Sequence, residues 1–179
     1  MSRRVFILGS TGSIGKSTIQ VIGHLNTLNP DAFKVVGLAA NKSKELLLSQ
    51  ASLLDAHAVA LSAGTVDYRH VSASAEDLIS EHAQEGDLVV AAMVGFDGIS
   101  PVLKAIEIGC VIAIANKECL VAAGELIMSR LANSNAEIIP IDSEHSAIYQ
   151  ALGNKSKSSI RKVVLTASGG SLRDFTANE

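Results

Sequence analysis

Apolar residues rich in valine and isoleucine gather into short runs at positions 4–9, 34–39, 58–61, 87–92, 110–115, 137–141 and 161–167. Between most of these runs apolar positions recur at helical spacing, as with Ile14, Thr18, Val21, Ile22 and Leu25 on one predicted face. Runs such as VVAA (89–92) and VIAIA (111–115) are apolar throughout rather than alternating, so both of their faces need cover. The pattern predicts a doubly wound α/β fold, with a mostly parallel sheet between two layers of helices. In such a sheet ligands bind beyond the carboxyl ends of the strands, so the residues that carry chemistry should fall just after each run.

The stretch GSTGSIGKST (9–18) follows the first run and precedes a helix. A Walker A loop would need a glycine at position 10, where this chain has Ser10, with Gly9 one residue too early for the Lys16-Ser17 pair. Gly9, Gly12 and Gly15 instead give G-x-x-G-x-x-G, a variant of the dinucleotide-binding turn in which backbone approaches a pyrophosphate held on helix N–H groups. Thr11, Ser13 and Ile14 would then present donors to the phosphates. A tight turn of small residues with no ligand is the plainer alternative.

The exit of the second run bears on which dinucleotide would bind. NAD sites place an acid there to accept from the ribose 2′-hydroxyl, whereas positions 32–44 hold none and run out into Asn41, Lys42, Ser43 and Lys44. Such donors and cations suit a 2′-phosphate, which favours NADPH. Lys42 and Lys44 would also serve simply to open a solvated helix.

Three further polar groups fall at predicted strand exits. Asn116, Lys117 and Glu118 follow the fifth run. Asn116 suits a helix N-cap and Glu118 the positive end of a helix dipole, while Lys117 opposes that dipole and calls for an anion nearby. Asp142 and Glu144 follow the sixth run, two residues apart, a spacing that at a strand exit sends both carboxylates to one side and suits a hard cation such as Mg2+ or Mn2+. The alternative is a capped helix with Asp142 as N-cap, and His145 fits a surface position. Ser168, Gly169 and Gly170 follow the seventh run as a turn that could hold a phosphate or merely reverse the chain.

Composition narrows the partners. The 179 residues are 47% hydrophobic, and no apolar run approaches the roughly 18 residues of a membrane span. The net charge of −3 is dispersed, with a local cluster only at Lys155, Lys157, Arg161 and Lys162, so there is no footprint for nucleic acid. Cys110 and Cys119 lack further ligands at zinc spacing and do not form a disulfide framework, which fits a reducing compartment. The start MSRRVFILGS passes directly into the glycine turn and so is expected to be a cytoplasmic N-terminus rather than a signal peptide.

Taken in order, these stretches resemble one family, 1-deoxy-D-xylulose 5-phosphate reductoisomerase, over essentially the whole chain. LGSTGSIG (8–15) is similar to its cofactor turn, ANKECLV (115–121) to its ANKESLV segment, PIDSEHSAI (140–148) to its PVDSEHNAI segment, and SGG (168–170) to the start of its SGGPFR loop. The second and third motifs are specific to the family, and the first is shared more widely. The resemblance implies a Rossmann-like NADPH-binding domain over 1–142 and the start of a catalytic, metal-binding α+β domain over 143–179. It implies the NADPH- and metal-dependent rearrangement and reduction of 1-deoxy-D-xylulose 5-phosphate to 2-C-methyl-D-erythritol 4-phosphate in non-mevalonate isoprenoid synthesis. A phosphorylated sugar is the implied substrate, and a cytoplasmic homodimer the implied full-length form.

Residue roles follow from the same resemblance. Thr11, Gly12, Ser13 and Ile14, shaped by Gly9 and Gly15, would hold the pyrophosphate, and Asn41, Lys42 and Ser43 the adenosine phosphate. Asn116 and Glu118 would border the nicotinamide ribose. Lys117 and Glu144 would be catalytic and touch the substrate, Asp142 and Glu144 would be two of three carboxylate metal ligands, and Ser143 and Ser168 would bind substrate. Ser171-Leu172 departs from the family's Pro-Phe. The chain also ends at Glu179, ahead of the family's third metal-binding glutamate, so an N-terminal fragment, inactive alone, is the expectation. The rival readings are another NADPH-dependent reductase of the same fold, a non-catalytic NADPH-binding module and, third, a P-loop nucleotidase.

Overall fold

Seven strands appear in the computed structural model, which describes residues 2–153 and 156–164. They are β1 (Arg3–Leu8), β2 (Phe33–Ala40), β3 (Ala58–Leu61), β4 (Val71–Ser72), β5 (Leu88–Ala91), β6 (Val111–Ile114) and β7 (Glu137–Pro140). Six α-helices accompany them: α1 (Ser13–Leu28), α2 (Lys44–Leu53), α3 (Ala75–His82), α4 (Ile99–Ile108), α5 (Lys117–Leu131) and α6 (Ser143–Leu152). By its internal contacts the chain divides into Met1–Ile139 and Pro140–Glu179.

The sheet has the order β4-β3-β2-β1-β5-β6-β7, and the registered pairs from β4 through to β6 are parallel. This is the doubly wound arrangement that the apolar runs predict. The chain builds outward from β1 through β2, β3 and β4, then returns to lay β5 on the other side of β1, which makes the β1/β5 boundary the topological switch point. Phe6, Val89, Ile112, Leu78, Ile79 and Ile106 are fully or almost fully buried and belong to one apolar cluster. Transfer of such side chains from water contributes about 1.5–3 kcal/mol each, and this burial holds the helices to the sheet.

Three local features depart from the sequence pattern. In α1 the buried residues are Gly15 and Ile22, while Ile14, Val21, Leu25 and Leu28 are exposed. The rotation of this helix is set by Gly15 lying against Gly9 and Ser10, rather than by its apolar stripe. Residues 161–164 form no strand, and the rest of the seventh run lies outside the described residues. The two-residue β4 is too short to show a period, and is held where Val59 N–H donates to His70 O at 3.0 Å and the Ser72 hydroxyl donates to Glu81 Oε2 at 2.6 Å.

At the amino edge of the sheet Arg4 ties β1 to the α3–β5 connection. Its Nε donates to both Asp87 oxygens, at 3.0 and 3.1 Å, and its Nη2 to His82 O at 2.6 Å. His57, His70 and His82 cluster beside it with ring centroids 4.1–6.1 Å apart. Desolvation, then the neighbouring His70, His82, Arg69 and Arg4, push the His57 imidazole below its ordinary value of 6.5. The folded form thus binds this proton less well than the unfolded chain, and the stabilisation is complete above the ordinary value and lost as pH falls below it. The expected result is a melting temperature that declines between roughly pH 7 and 5. His57→Gln should make that decline shallower, only modestly because His57 is exposed, and an unchanged slope by calorimetric melting would contradict the assignment.

Candidate functional site

The glycine turn is built by close backbone contact. Gly9 has φ +85°, and a Cβ there would lie 2.5 Å from Ala92 O; a Cβ on Gly15 would lie 2.4 Å from Gly9 O. A side chain is therefore excluded at Gly9 and at Gly15, the two ends of the step from β1 into α1. Gly9 N–H and Ser10 N–H both donate to Ala39 O at 2.9 Å, and Gly12 N–H donates to Gly9 O at 3.1 Å. Gly12 is the N-cap of α1, no side chain caps the helix, and its first turn carries no acid. The first amides of a helix have no intrahelical acceptor, so Ser13, Ile14 and Gly15 present N–H groups at the positive end of a sixteen-residue dipole. Thr11 is half-buried, and Gly12, Ser13 and Ile14 are exposed.

A cleft of about 160 Å3 opens beside this turn, lined by Gly9, Thr11, Gly12, Ala40, Asn41 and Ser62, and closed by Ala92, Met93, Val94 and Asp97. All the lining residues but Ala39, the penultimate residue of β2, follow or terminate β1, β2, β3 or β5, at the switch point where such folds bind ligands. Pockets that enclose a small-molecule ligand start at roughly 300 Å3, so an extended ligand would cross this cleft with much of its length on the surface. Asn41, Lys42 and Ser43 are exposed at the β2 exit, with Asn41 O accepting from Ala63 N at 2.8 Å. Ser43 is the N-cap of α2 without a side-chain cap bond. No sequence motif marks Ser62, Met93, Val94 or Asp97, although each follows the carboxyl end of β3 or β5, where ligands of such folds sit.

Asn116 is the N-cap of α5 and only 3% exposed. Its Oδ1 accepts from Cys119 N at 3.1 Å and its Nδ2 donates to Gly95 O at 2.8 Å, so one amide both caps the helix and ties down the loop after β5. Lys117 and Glu118 are exposed in the first turn of α5. Burial, followed by the charges of Asp87 and Glu118 respectively, raises the Cys110 and Cys119 thiols to about 11. Both are free and buried, which leaves them as packing groups rather than nucleophiles.

In the second unit Asp142 is the N-cap of α6, but its carboxylate makes no cap hydrogen bond. The two carboxylates do not share a strand face as their spacing predicts, because β7 ends at Pro140 and Glu144 already lies in the first turn of α6. Asp142 Oδ1 lies 3.5 Å from His145 Nδ1, and the Ser143 hydroxyl donates to Glu144 Oε2 at 2.6 Å. A hollow of about 500 Å3 is lined by Ser143 and Glu144 together with Ile148, Leu152, Ile160 and Val164. Among the described residues no group of three or more His, Cys, Asp or Glu side chains is arranged to hold a metal ion. The donor set that Asp142 and Glu144 offer is two carboxylates, hard oxygen ligands of the kind Mg2+ accepts while keeping several waters. Ser168, the glycines after it and Ser171-Leu172 lie outside the described residues.

The first unit is therefore a doubly wound α/β domain with a dinucleotide-type turn and cleft. The sequence profile of 1-deoxy-D-xylulose 5-phosphate reductoisomerase matches residues 5–124, and that of the C-terminal domain of the same enzyme matches 138–179. The chain belongs to the 1-deoxy-D-xylulose 5-phosphate reductoisomerase family. It is 40% identical to the enzyme of that name from Pelotomaculum thermopropionicum over 97% of this chain and 47% of that protein. Against the one from Symbiobacterium thermophilum it is 43% identical, over 97% of this chain and 48% of the other. Among solved structures, the reductoisomerase from Zymomonas mobilis in complex with NADPH superposes with a TM-score of 0.84 at 32% identity, covering 98% of this chain and 48% of that one. A DOX-P reductoisomerase in complex with NADPH, fosmidomycin and magnesium gives 0.79 at 31% identity. The chain spans about half the length of these relatives. No described helix is long and apolar enough to cross a membrane.

Asn116→Ala removes the α5 cap and leaves Gly95 O unpaired. The expected cost is about 1–3 kcal/mol, read as a drop in melting temperature, with Asn116→Asp recovering only the cap. A wild-type melt for Asn116→Ala would show that neither bond contributes.

Proposed function

We propose that this chain is the coenzyme-binding part and the first portion of the catalytic domain of an enzyme that rearranges and reduces 1-deoxy-D-xylulose 5-phosphate to 2-C-methyl-D-erythritol 4-phosphate, using NADPH and Mg2+ or Mn2+. The activity is proposed for a protein of the relatives' length, since the chain spans about half of them. The carrying observation is the cleft at the β1/β5 switch point, with uncapped helix amides on one side and the acid-free Asn41–Lys42–Ser43 exit on the other. The family membership and the NADPH and magnesium complexes of its structural neighbours support the same reading.

Within that proposal the amides of the α1 start and the Thr11 and Ser13 hydroxyls bind the pyrophosphate, while Asn41, Lys42 and Ser43 bind the adenosine-side phosphate. Asn116 and Glu118 border the nicotinamide ribose, with Asn116 acting through the loop it anchors at Gly95. Lys117 and Glu144 are the catalytic side chains. The lysine holds an anionic oxygen of the substrate at the start of α5, and Glu144 shares a divalent cation with Asp142. Ser143 and Ser168 bind the phosphorylated sugar. The cation supplies Lewis-acid polarisation of substrate oxygens, and NADPH supplies the hydride. The rearrangement leaves the atom count of the sugar phosphate unchanged, and the reduction adds one hydride and one proton. A cytoplasmic homodimer completes the proposal. The free, buried thiols suit a reducing compartment.

The test is calorimetric titration of the chain with NADPH and NADH. NADPH should bind at least about tenfold more tightly, and Lys42→Ala should remove about that factor while leaving NADH little changed, as expected for one charge-assisted contact. Equal affinity for the two coenzymes, or binding of neither, would contradict the proposal.

A further inference from the structure

Five polar or charged residues are buried among those described: Ser10, Gln50, Ser72, Asp87 and Asn116. Three have evident work. Ser72 donates to Glu81, Asp87 accepts from Arg4, and Asn116 caps α5. The other two meet each other. Gln50, on the buried side of α2 and 7% exposed, donates from Nε2 to Ser10 O at 3.0 Å, and Ser10 is fully buried. The neighbours of Gln50 on that helix face, Leu47 and Ala51, are apolar, and a leucine at position 50 would suit the core better. The amide is placed for the carbonyl of the glycine turn. Gln50 Oε1 and Ser10 Oγ have no hydrogen-bond partner, so burial of this amide is not repaid by a full set of bonds.

The position of Ser10 gives the contact its meaning. Its N–H donates to Ala39 O at 2.9 Å, and its carbonyl accepts from Gln50. Ala39 and Gln50 flank the Asn41–Lys42–Ser43 segment, one on the strand before it and one on the helix after it. On its other side Ser10 O would lie 2.6 Å from a Cβ on Gly15, so the carbonyl is confined between α1 and α2.

We infer that Gln50 is a positioning residue of the dinucleotide site, whose amide locks the glycine turn to the β2–α2 exit and so fixes the spacing between the pyrophosphate donors and the adenosine-side donors. The inference rests on the coenzyme reading above and deepens it. The role matters only to a ligand long enough to engage both ends.

The test compares wild type with Gln50→Met, an apolar residue of similar length, and Gln50→Glu, using calorimetry with NADP+ and with adenosine 2′-monophosphate, which reaches one end only. Gln50→Met should weaken NADP+ by about five- to tenfold and leave the mononucleotide within about twofold. Gln50→Glu should weaken NADP+ at least as much as Met at pH 7.5, where the carboxylate has no proton to donate, and regain affinity relative to wild type as the pH is lowered to 5, because burial at this position favours the neutral acid, which can donate to Ser10 O. That rescue keeps the test decisive even if Gln50→Met fails to fold. A folded Gln50→Met with wild-type affinity for NADP+, an equal loss for both ligands, or no acid rescue of Gln50→Glu would overturn the role of Gln50 while leaving the coenzyme reading intact. Failure of the wild type to bind either ligand would sink that reading, and this inference with it.

Discussion

Backbone packed on backbone at the end of β1 is the constraint on which the first unit depends. With no room for a methyl group at Gly9 or Gly15, the chain leaves the sheet and enters α1 in one tight step. That step sets the rotation of α1, which is why Gly15 and Ile22 face inward and the apolar stripe of the helix does not. It also delivers the first helical amides to the switch point without a side chain in the way. As the proposed pyrophosphate site, this turn needs no charged residue, since the donors are the peptide groups and the field is that of the helix.

The two units offer opposite chemistries. At the glycine turn and the β2 exit the first collects donors, namely helix amides, hydroxyls and the cation of Lys42, while Asp97 also lines the cleft. The second collects acceptors, with the carboxylates of Asp142 and Glu144 two residues apart at the start of α6. A coenzyme carrying extra phosphate and a hard divalent cation are the ligands that such sets distinguish best.

Much of this is legible from the sequence because buried parallel strands are continuous apolar runs, and six of the seven runs are strands. The seventh fails over residues 161–164, where two adjacent valines follow Arg161 and Lys162 without forming a strand, and β4 escapes notice because two residues have no period. The glycine turn is legible since its spacing encodes its geometry. Long-range partnerships are not. Nothing in the motif around Asn116 shows that its amide reaches Gly95, twenty-one residues earlier, and nothing near Gln50 announces a bond to Ser10, forty residues away. Met93, Val94 and Asp97 enter the cleft only because β5 is laid beside β1, a fact of topology.

The most direct test of the central claim is an amide NMR titration of the chain with NADPH. The account predicts that the largest shifts fall on Thr11 to Gly15 and on Asn41 to Ser43, with His57, His70 and His82 at the opposite strand ends left undisturbed. Shifts concentrated at that histidine edge, or a glycine turn unmoved at saturation, would contradict it.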